Sequence, residues 1–410
     1  MSRAAGFAIC LVLSTACGRP AAPAEPREAA AARDTVQMTP DADRDNILAI
    51  SSGAAVVSRT GEGSLEYSAV QAIDSMVETS WTSPPHAPDQ TLVFSLAGPT
   101  RLEALGATTL SRALPGTMIF ETSSDGRQWS RVSELSPKAG TEVRPIPPAE
   151  AQYIRVVITG KPGSSPVINS LQARGRAVAA PRRRSLEGCW EINGEPARFV
   201  QNGARISGVI GEKRPTLVDG GTDGSVARLM WRRGPAWGYA VVTSTPDGDA
   251  LSGATFHEDP QVTHYGRAWF GTRCTSKKSL AAGSIGPQQF AERGAAWALF
   301  GVAFDESGAI DPVASKAALD IAAAYIAGTP APARIRIVAH EFGSTDPAAN
   351  RRVAAARIDA LRAELAARGT DLSRVELIAS GSDRKGPETR FPIQRLLWSR
   401  VDLELVKPPS

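Results

Sequence analysis

Four cysteines and four histidines in 410 residues are too few for a densely disulfide-stapled scaffold or a multi-metal protein. No apolar run reaches the roughly 18 to 20 residues that a membrane-crossing helix needs. Neither sign of charge dominates: 46 Lys and Arg against 42 Asp and Glu leave a formal +4. The basic residues are scattered and no aromatic-interleaved basic stripe exists, which excludes a nucleic-acid partner. A G-x-S-x-G elbow, an H-E-x-x-H pair and a glycine-rich phosphate loop are all missing, and His257 and His264 are too far apart for one helical turn. The expectation is a protein that is not an enzyme and carries no cofactor.

What is present begins with Arg3, an apolar run from Ala4 to Leu13, and the small residues Ser14, Thr15 and Ala16 before Cys17. This resembles a bacterial lipoprotein signal over residues 1–17, which implies lipidation of Cys17 and an outer-membrane anchor with the folded parts in the periplasm. Residues 18–46, rich in Ala, Pro and charge with few large apolar side chains, read as a disordered tether. With Cys10 in the discarded leader and Cys17 lipidated, Cys189 and Cys274 remain. They bracket one segment of an exported chain, so a disulfide is expected. Composition breaks at 176–185 and 275–288 divide the rest into three modules, and the run Arg182, Arg183, Arg184 in the first break reads as a solvated linker.

Residues 47–175 carry short alternating runs between turn signals, with Thr91 to Leu96 and Tyr153 to Ile158 as clear strands and Ser124, Asp125, Gly126 as a turn. The pattern is that of an all-β sandwich. Ala72-Ile73-Asp74 with Thr79-Ser80-Trp81, then Glu121, Ser123, Asp125, Gly126 and Trp129, then Tyr153 to Val156 and Ile168 to Gly175 resemble the discoidin-like, galactose-binding jelly roll. That resemblance implies ligand recognition by loop tips, of a glycan or an envelope protein, and places Trp81 and Trp129 in the core. His86 is the one polar ring in a loop. The family's structural calcium would use Asp74 with a glutamate, but Gln172 stands in the glutamate's place and offers a dehydrating cation less charge, so no metal is expected.

Residues 186–275 are also β-rich. Asn193-Gly194, Asn202-Gly203 and Asp247-Gly248 mark hairpins between strand-like runs such as Arg228 to Trp231 and Tyr239 to Thr243, predicting a small antiparallel barrel or meander closed by the Cys189–Cys274 bridge. Its tryptophans are expected to pack a core rather than line a ligand cavity.

Residues 289–407 read strand, helix, strand, helix, strand, short helix, strand, with Trp297 to Phe304 as the first strand, a helix from Pro312 and a second from Pro347 to Gly369. With His340 as anchor, Asn350, Val353, Arg357, Arg400 and Val401 fall in register with the OmpA-like peptidoglycan-associated domain, which this α/β segment resembles. The resemblance implies a grip on a zwitterionic wall amino acid by one aspartate and one arginine. Arg357 supplies the base, whereas Phe342 occupies the aspartate's place, so Glu341 or Asp346 would have to supply the acid, beside Asn350. His340 reads as strand-end packing. Arg357 also fits a surface arginine whose stem lies along an apolar helix face.

The expected fold is therefore multidomain: a discoidin-like β-sandwich, a small β-barrel or meander and an α/β OmpA-like domain. The expected function is that of an outer-membrane lipoprotein associated with peptidoglycan, the alternative being a glycan- or protein-binding receptor that uses the first module and keeps the last as scaffold.

Overall fold

A computed structural model describes residues 45–84, 89–110, 116–160, 163–181, 183–257, 267–274, 280, 286–291, 295–383 and 391–406. Cys10, Cys17, the leader, the tether as far as residue 44, His86 and His264 lie outside the described residues. Among the described residues no helix is long and apolar enough to cross a membrane.

The expected tether reaches residue 46, but Asn46 is buried, and its side chain accepts from the Leu48 and Ala173 amides and donates to the Leu171 carbonyl. The sandwich holds β1 (Ala55–Arg59), β2 (Trp81–Thr82), β3 (Gln90–Thr109), β4 (Gly116–Ser123), β5 (Ser130–Leu135), β6 (Gly140–Gly160), β7 (Val167–Ile168) and β8 (Ser170–Ala177). The main sheet runs β1-β3-β6-β4-β5 with β8 on β3, while β2 and β7 pair separately. Both strands expected from the alternation are there, inside β3 and β6 and hydrogen-bonded to each other. Register irregularities between Ser95 and Thr100 and between Leu102 and Ala104 interrupt the β3 ladders. Such breaks bend long strands, and here the sheet curves round a core that includes Trp81, Phe94, Phe120 and Ile154.

Next come β9 (Gly188–Ile192), β10 (Glu195–Asn202), β11 (Arg205–Ile210), β12 (Thr216–Thr222), β13 (Ala227–Arg233), β14 (Ala236–Ser244), β15 (Ala250–His257) and β16 (Trp269–Arg273). Each pairs antiparallel with the next and β16 closes on β9, so the up-and-down barrel is complete. Asn193 and Gly194 both take positive φ, the backbone that a two-residue hairpin with the strands' own twist requires. Cys189 and Cys274 are bonded across the closure, their Cα atoms 5.5 Å apart. Trp190, Phe199, Leu229, Trp231 and Val242 fill the interior, which is a packed core, whereas Trp237 packs partly buried on the outer wall.

The barrel's outer wall is covered too. Met230, Tyr239, Val241 and Ala254 join a single apolar cluster that runs from the sandwich through the barrel wall into the last part of the chain. That part has α1 (Pro287–Ala291), β17 (Trp297–Ala298), α2 (Lys316–Gly328), β18 (Arg334–His340), α3 (Pro347–Ala367), β19 (Val375–Gly381), α4 (Pro392–Trp398) and β20 (Val401–Val406), with sheet order β17-β20-β18-β19 and only β18 and β19 parallel. The first strand stops at Ala298, short of the expected Phe304. The remaining apolar residues, with Phe300 and Val302 almost wholly buried, pack against the barrel instead of extending the ladder. The helix expected from Pro312 starts at Lys316, because Asp311 ties the Val313 and Ala314 amides into a turn first.

Polar contacts stitch the three parts. Val56 donates to Ser252 and Thr243 to the Ala54 carbonyl between sandwich and barrel. Trp297 donates to Asp219 Oδ2 at 2.8 Å, and Arg205 pairs with Oδ1 at 2.5 Å. Burial pushes the Asp219 carboxyl up to about 6, although Arg205 and Trp297 both pull it back. The expected solvated linker is corrected here. Arg183 is exposed, but Arg184 is buried and donates to the carbonyls of Gly53, Leu96 and Ala97 on the sandwich and Ser244 on the barrel.

Candidate functional site

One end of the sandwich is built by chain segments that close on each other. Thr82 pairs with Val167 and donates to the Tyr67 carbonyl, while Asn169 accepts from the Leu110 amide and donates to the Val77 and Thr79 carbonyls. These bonds bring the loops at 60–68, 76–84, 108–110 and 163–169 to one face. Below it, Glu62 accepts from the Ala69 amide and pairs with Arg59 at 2.8 Å, and burial raises its carboxyl despite both partners. Two large apolar side chains stand out there, Tyr67 at 51% and Leu110 at 52% exposure. A phenol ring with half its surface in water, on a loop pinned at both ends, can lie against a ligand without ordering cost. No motif or period in the sequence singles out Tyr67. Its signal was an aromatic in a Gly/Ser/Glu-rich stretch, where no strand or helix period calls for one.

Trp81 is fully buried, as its place in the pattern implied, and its indole N–H donates to Gly61. Trp129 departs from the expectation. It is only half-buried, because it precedes the edge strand β5, and the Arg155 guanidinium lies 4.5 Å over its ring while pairing with Glu121. Asp74 spends its carboxylate on its own turn, accepting from the Met76 amide and the Thr79 hydroxyl at 2.8 to 2.9 Å. Gln172 donates to Thr108 instead. Among the described residues no group of three or more His, Cys, Asp or Glu could hold a metal ion.

The second locus is the end of β18. Glu341 Oε2 lies 2.7 Å from Arg357 Nη2, with both side chains largely buried. The oxygen sits off the guanidinium's N–H directions, so the contact is one of charge rather than a directed hydrogen bond. Oε1 accepts from the Gly343 amide and the Ser399 hydroxyl. Arg357 Nη1 donates to the His340 carbonyl, its ring neighbour is Phe304 at 5.5 Å, and Nε is buried without a hydrogen bond. Asn350, 2% exposed, closes both amide atoms on the Ser344 backbone. Asp346 caps α3 through the Ala348 and Ala349 amides, 3.7 Å from Arg352. The structure thus brings Glu341 onto Arg357 and leaves Asp346 and Asn350 holding the loop between β18 and α3. His340 is buried beside Asp402 at 3.6 Å. Cys17 lies outside the described residues.

Comparison with known proteins falls on the sandwich. The F5/8 type C domain model matches residues 51–170. No curated protein matches the chain. Solved structures similar to it include the C-terminal domain of a chitobiase from Bacteroides fragilis, at 20% identity over 32% of this chain and 97% of that one, TM-score 0.29. A CBM32-3 module of a family 31 glycoside hydrolase from Clostridium perfringens is 18% identical over 31% and 93%, TM-score 0.28. Chitosan-binding module 1 of a chitosanase/glucanase from Paenibacillus sp. IK-5 is 16% identical over 32% and 98%, TM-score 0.29. Residues 51–170 are an F5/8 type C domain, carried in a longer chain on a closed eight-stranded barrel.

Proposed function

We propose that this protein is a non-catalytic receptor that recognises a glycan through the loop end of its F5/8 type C domain, with the barrel and the α/β part as a fixed mount. The observation that carries it is Tyr67, half exposed on pinned loops within the matched domain, set against Arg357, whose charge already faces Glu341. Aromatic rings meet the apolar face of a sugar, and the polar rim supplies hydrogen bonds. The test is a glycan array on the full chain, followed by titration calorimetry with the best binder. Tyr67→Ala is expected to lose about tenfold in affinity, the equivalent of about 1.4 kcal/mol. No binder on the array, or an unchanged affinity in Tyr67→Ala, sinks the reading.

In the same reading Cys17 is lipidated and the folded parts stand in the periplasm beneath the outer membrane. A globomycin-sensitive mass shift that disappears in Cys17→Ser tests it. A second reading, in which a divergent OmpA-like domain holds peptidoglycan through Arg357, Glu341, Asn350 and Asp346, is supported by an acid and a base brought together at the end of β18. It requires their pair to open for the ligand. Cosedimentation with purified sacculi that is lost in Arg357→Ala would favour it over the glycan reading.

A further inference from the structure

A cleft of about 630 Å³ opens between the barrel rim and the chain that follows β17. That volume is within the usual range for small-ligand sites, which form preferentially where domains meet. Phe304, Ile310 and Val313 form an apolar wall, and Val313, at 84% exposure, is the most exposed large apolar residue described. Arg183 and Asp223, both exposed, and the half-buried Arg228 also line it.

Arg228 is placed by β13 and held by one nitrogen only. Nη1 donates to the carbonyls of Leu396 and Ser399, and the guanidinium lies 5.2 Å over Phe300. Among the described residues Nε and Nη2 make no hydrogen bond, and no carboxylate pairs with the group within ion-pair distance. Burial depresses its proton affinity, with Asp223 and Glu341 opposing and Arg357 and Arg400 adding to the effect. Arg357 and Arg400 have acids of their own in Glu341 and Asp402. Asp223 is committed elsewhere, since its Oδ1 accepts from the Ser225 and Val226 amides. A half-buried guanidinium with donors beyond Nη1, in the lining of a partly apolar cleft, favours a charged acceptor with a hydrocarbon body.

We propose that this cleft binds an organic carboxylate, its charged end on Arg228 and its apolar body along Phe304, Ile310 and Val313. The site is separate from the sandwich face and does not depend on the glycan reading. Titration calorimetry of the full chain with hexanoate, decanoate and the two matching amides tests it. The expected result is tighter binding of decanoate than hexanoate, with each amide at least tenfold weaker than its acid. Arg228→Gln is expected to lose at least tenfold for both acids. Val313→Asp, at a position the fold leaves in water, is expected to weaken decanoate more than hexanoate, and Tyr67→Ala to change neither. Absence of binding by both acids at millimolar concentration, amides that bind as well as acids, or decanoate affinity indifferent to Val313→Asp would each overturn the proposal. Should Arg228→Gln fail to fold, the acid-to-amide ratio and Val313→Asp still decide it.

Discussion

Replacing Arg184 by alanine should loosen the joint between sandwich and barrel more than any other single truncation in the linker. The wild-type guanidinium donates to four backbone carbonyls, three on one side of the joint and one on the other. Hydrogen bonds from a charged donor are worth roughly 1.5 to 3 kcal/mol each when removed singly. Four of them are not additive, and burying the cation costs several kcal/mol that truncation returns. Leaving the carbonyls without a donor in a buried joint therefore sets the net loss at about 3 to 5 kcal/mol. Arg183→Ala, one residue away and exposed, should stay within about 0.5 kcal/mol of wild type. Urea unfolding followed by tryptophan fluorescence reads both, since Trp81 reports the sandwich and Trp190 and Trp231 the barrel. A further consequence is loss of cooperativity: with the joint weakened, one transition should split into two. If Arg184→Ala unfolds at the same urea concentration as Arg183→Ala, the four-carbonyl account of the linker is wrong.

Asp219 gives a pH dependence whose direction is fixed by its raised carboxyl. Its folded value near 6 lies above the ordinary 3.8, so the folded state binds the proton more tightly, and stability falls as pH rises between those two values by about 3 kcal/mol before levelling off. Asp219→Asn should remove that slope from unfolding measured between pH 4 and 7; an unchanged slope assigns it to other groups. Joining residues 85 apart, the Cys189–Cys274 bond should contribute about 4 to 5 kcal/mol in the chain-entropy model, so the double serine variant is expected to lose close to that in urea, and a loss under 1 kcal/mol contradicts it. On Gly221 a Cβ would meet the Phe300 carbonyl oxygen at 2.0 Å, where backbone cannot yield cheaply. Gly221→Ala should therefore cost about 1 to 3 kcal/mol or more, whereas Gly328→Ala, with nothing within 4 Å, should not destabilise; equal midpoints for the two would rule out close packing of β12 against the chain after β17.

The barrel was legible because its information is local. Each Asn-Gly or Asp-Gly turn needs only its own backbone preference, and the alternating runs between them need only one filled interior. The sandwich strands at Thr91 to Leu96 and Tyr153 to Ile158 were legible for the same reason. Arg184 was not, because its partners lie as far as 131 residues away in sequence and nothing beside it distinguishes it from Arg183. Trp129 looked like a core residue from its motif, but burial depends on whether its strand has a neighbour, and β5 ends the sheet. The run from Trp297 to Phe304 has a strand's composition and stops being one after Ala298, since the barrel wall offers Phe300 and Val302 a better-buried place than a ladder does.

A place in the sequence pattern does not decide what Arg357 does, and four arginines of this chain show why. A guanidinium in a low-dielectric setting must find acceptors, and the energetic question is whether the protein itself supplies them. Arg184 finds four carbonyls, Arg357 finds Glu341, and Arg400 finds Asp402 with Tyr239 and Trp398 against its plane. Each has its charge met by acceptors of its own chain, although Arg184 and Arg357 each keep a buried Nε without a hydrogen bond, so a ligand gains from it only by first breaking what is there. Arg228 is different: among the described residues only its Nη1 finds acceptors, in two carbonyls, and the group faces a cleft rather than a carboxylate. A ligand acceptor arriving there need break no ion pair, which is the condition under which a half-buried cation yields affinity instead of merely holding a fold together.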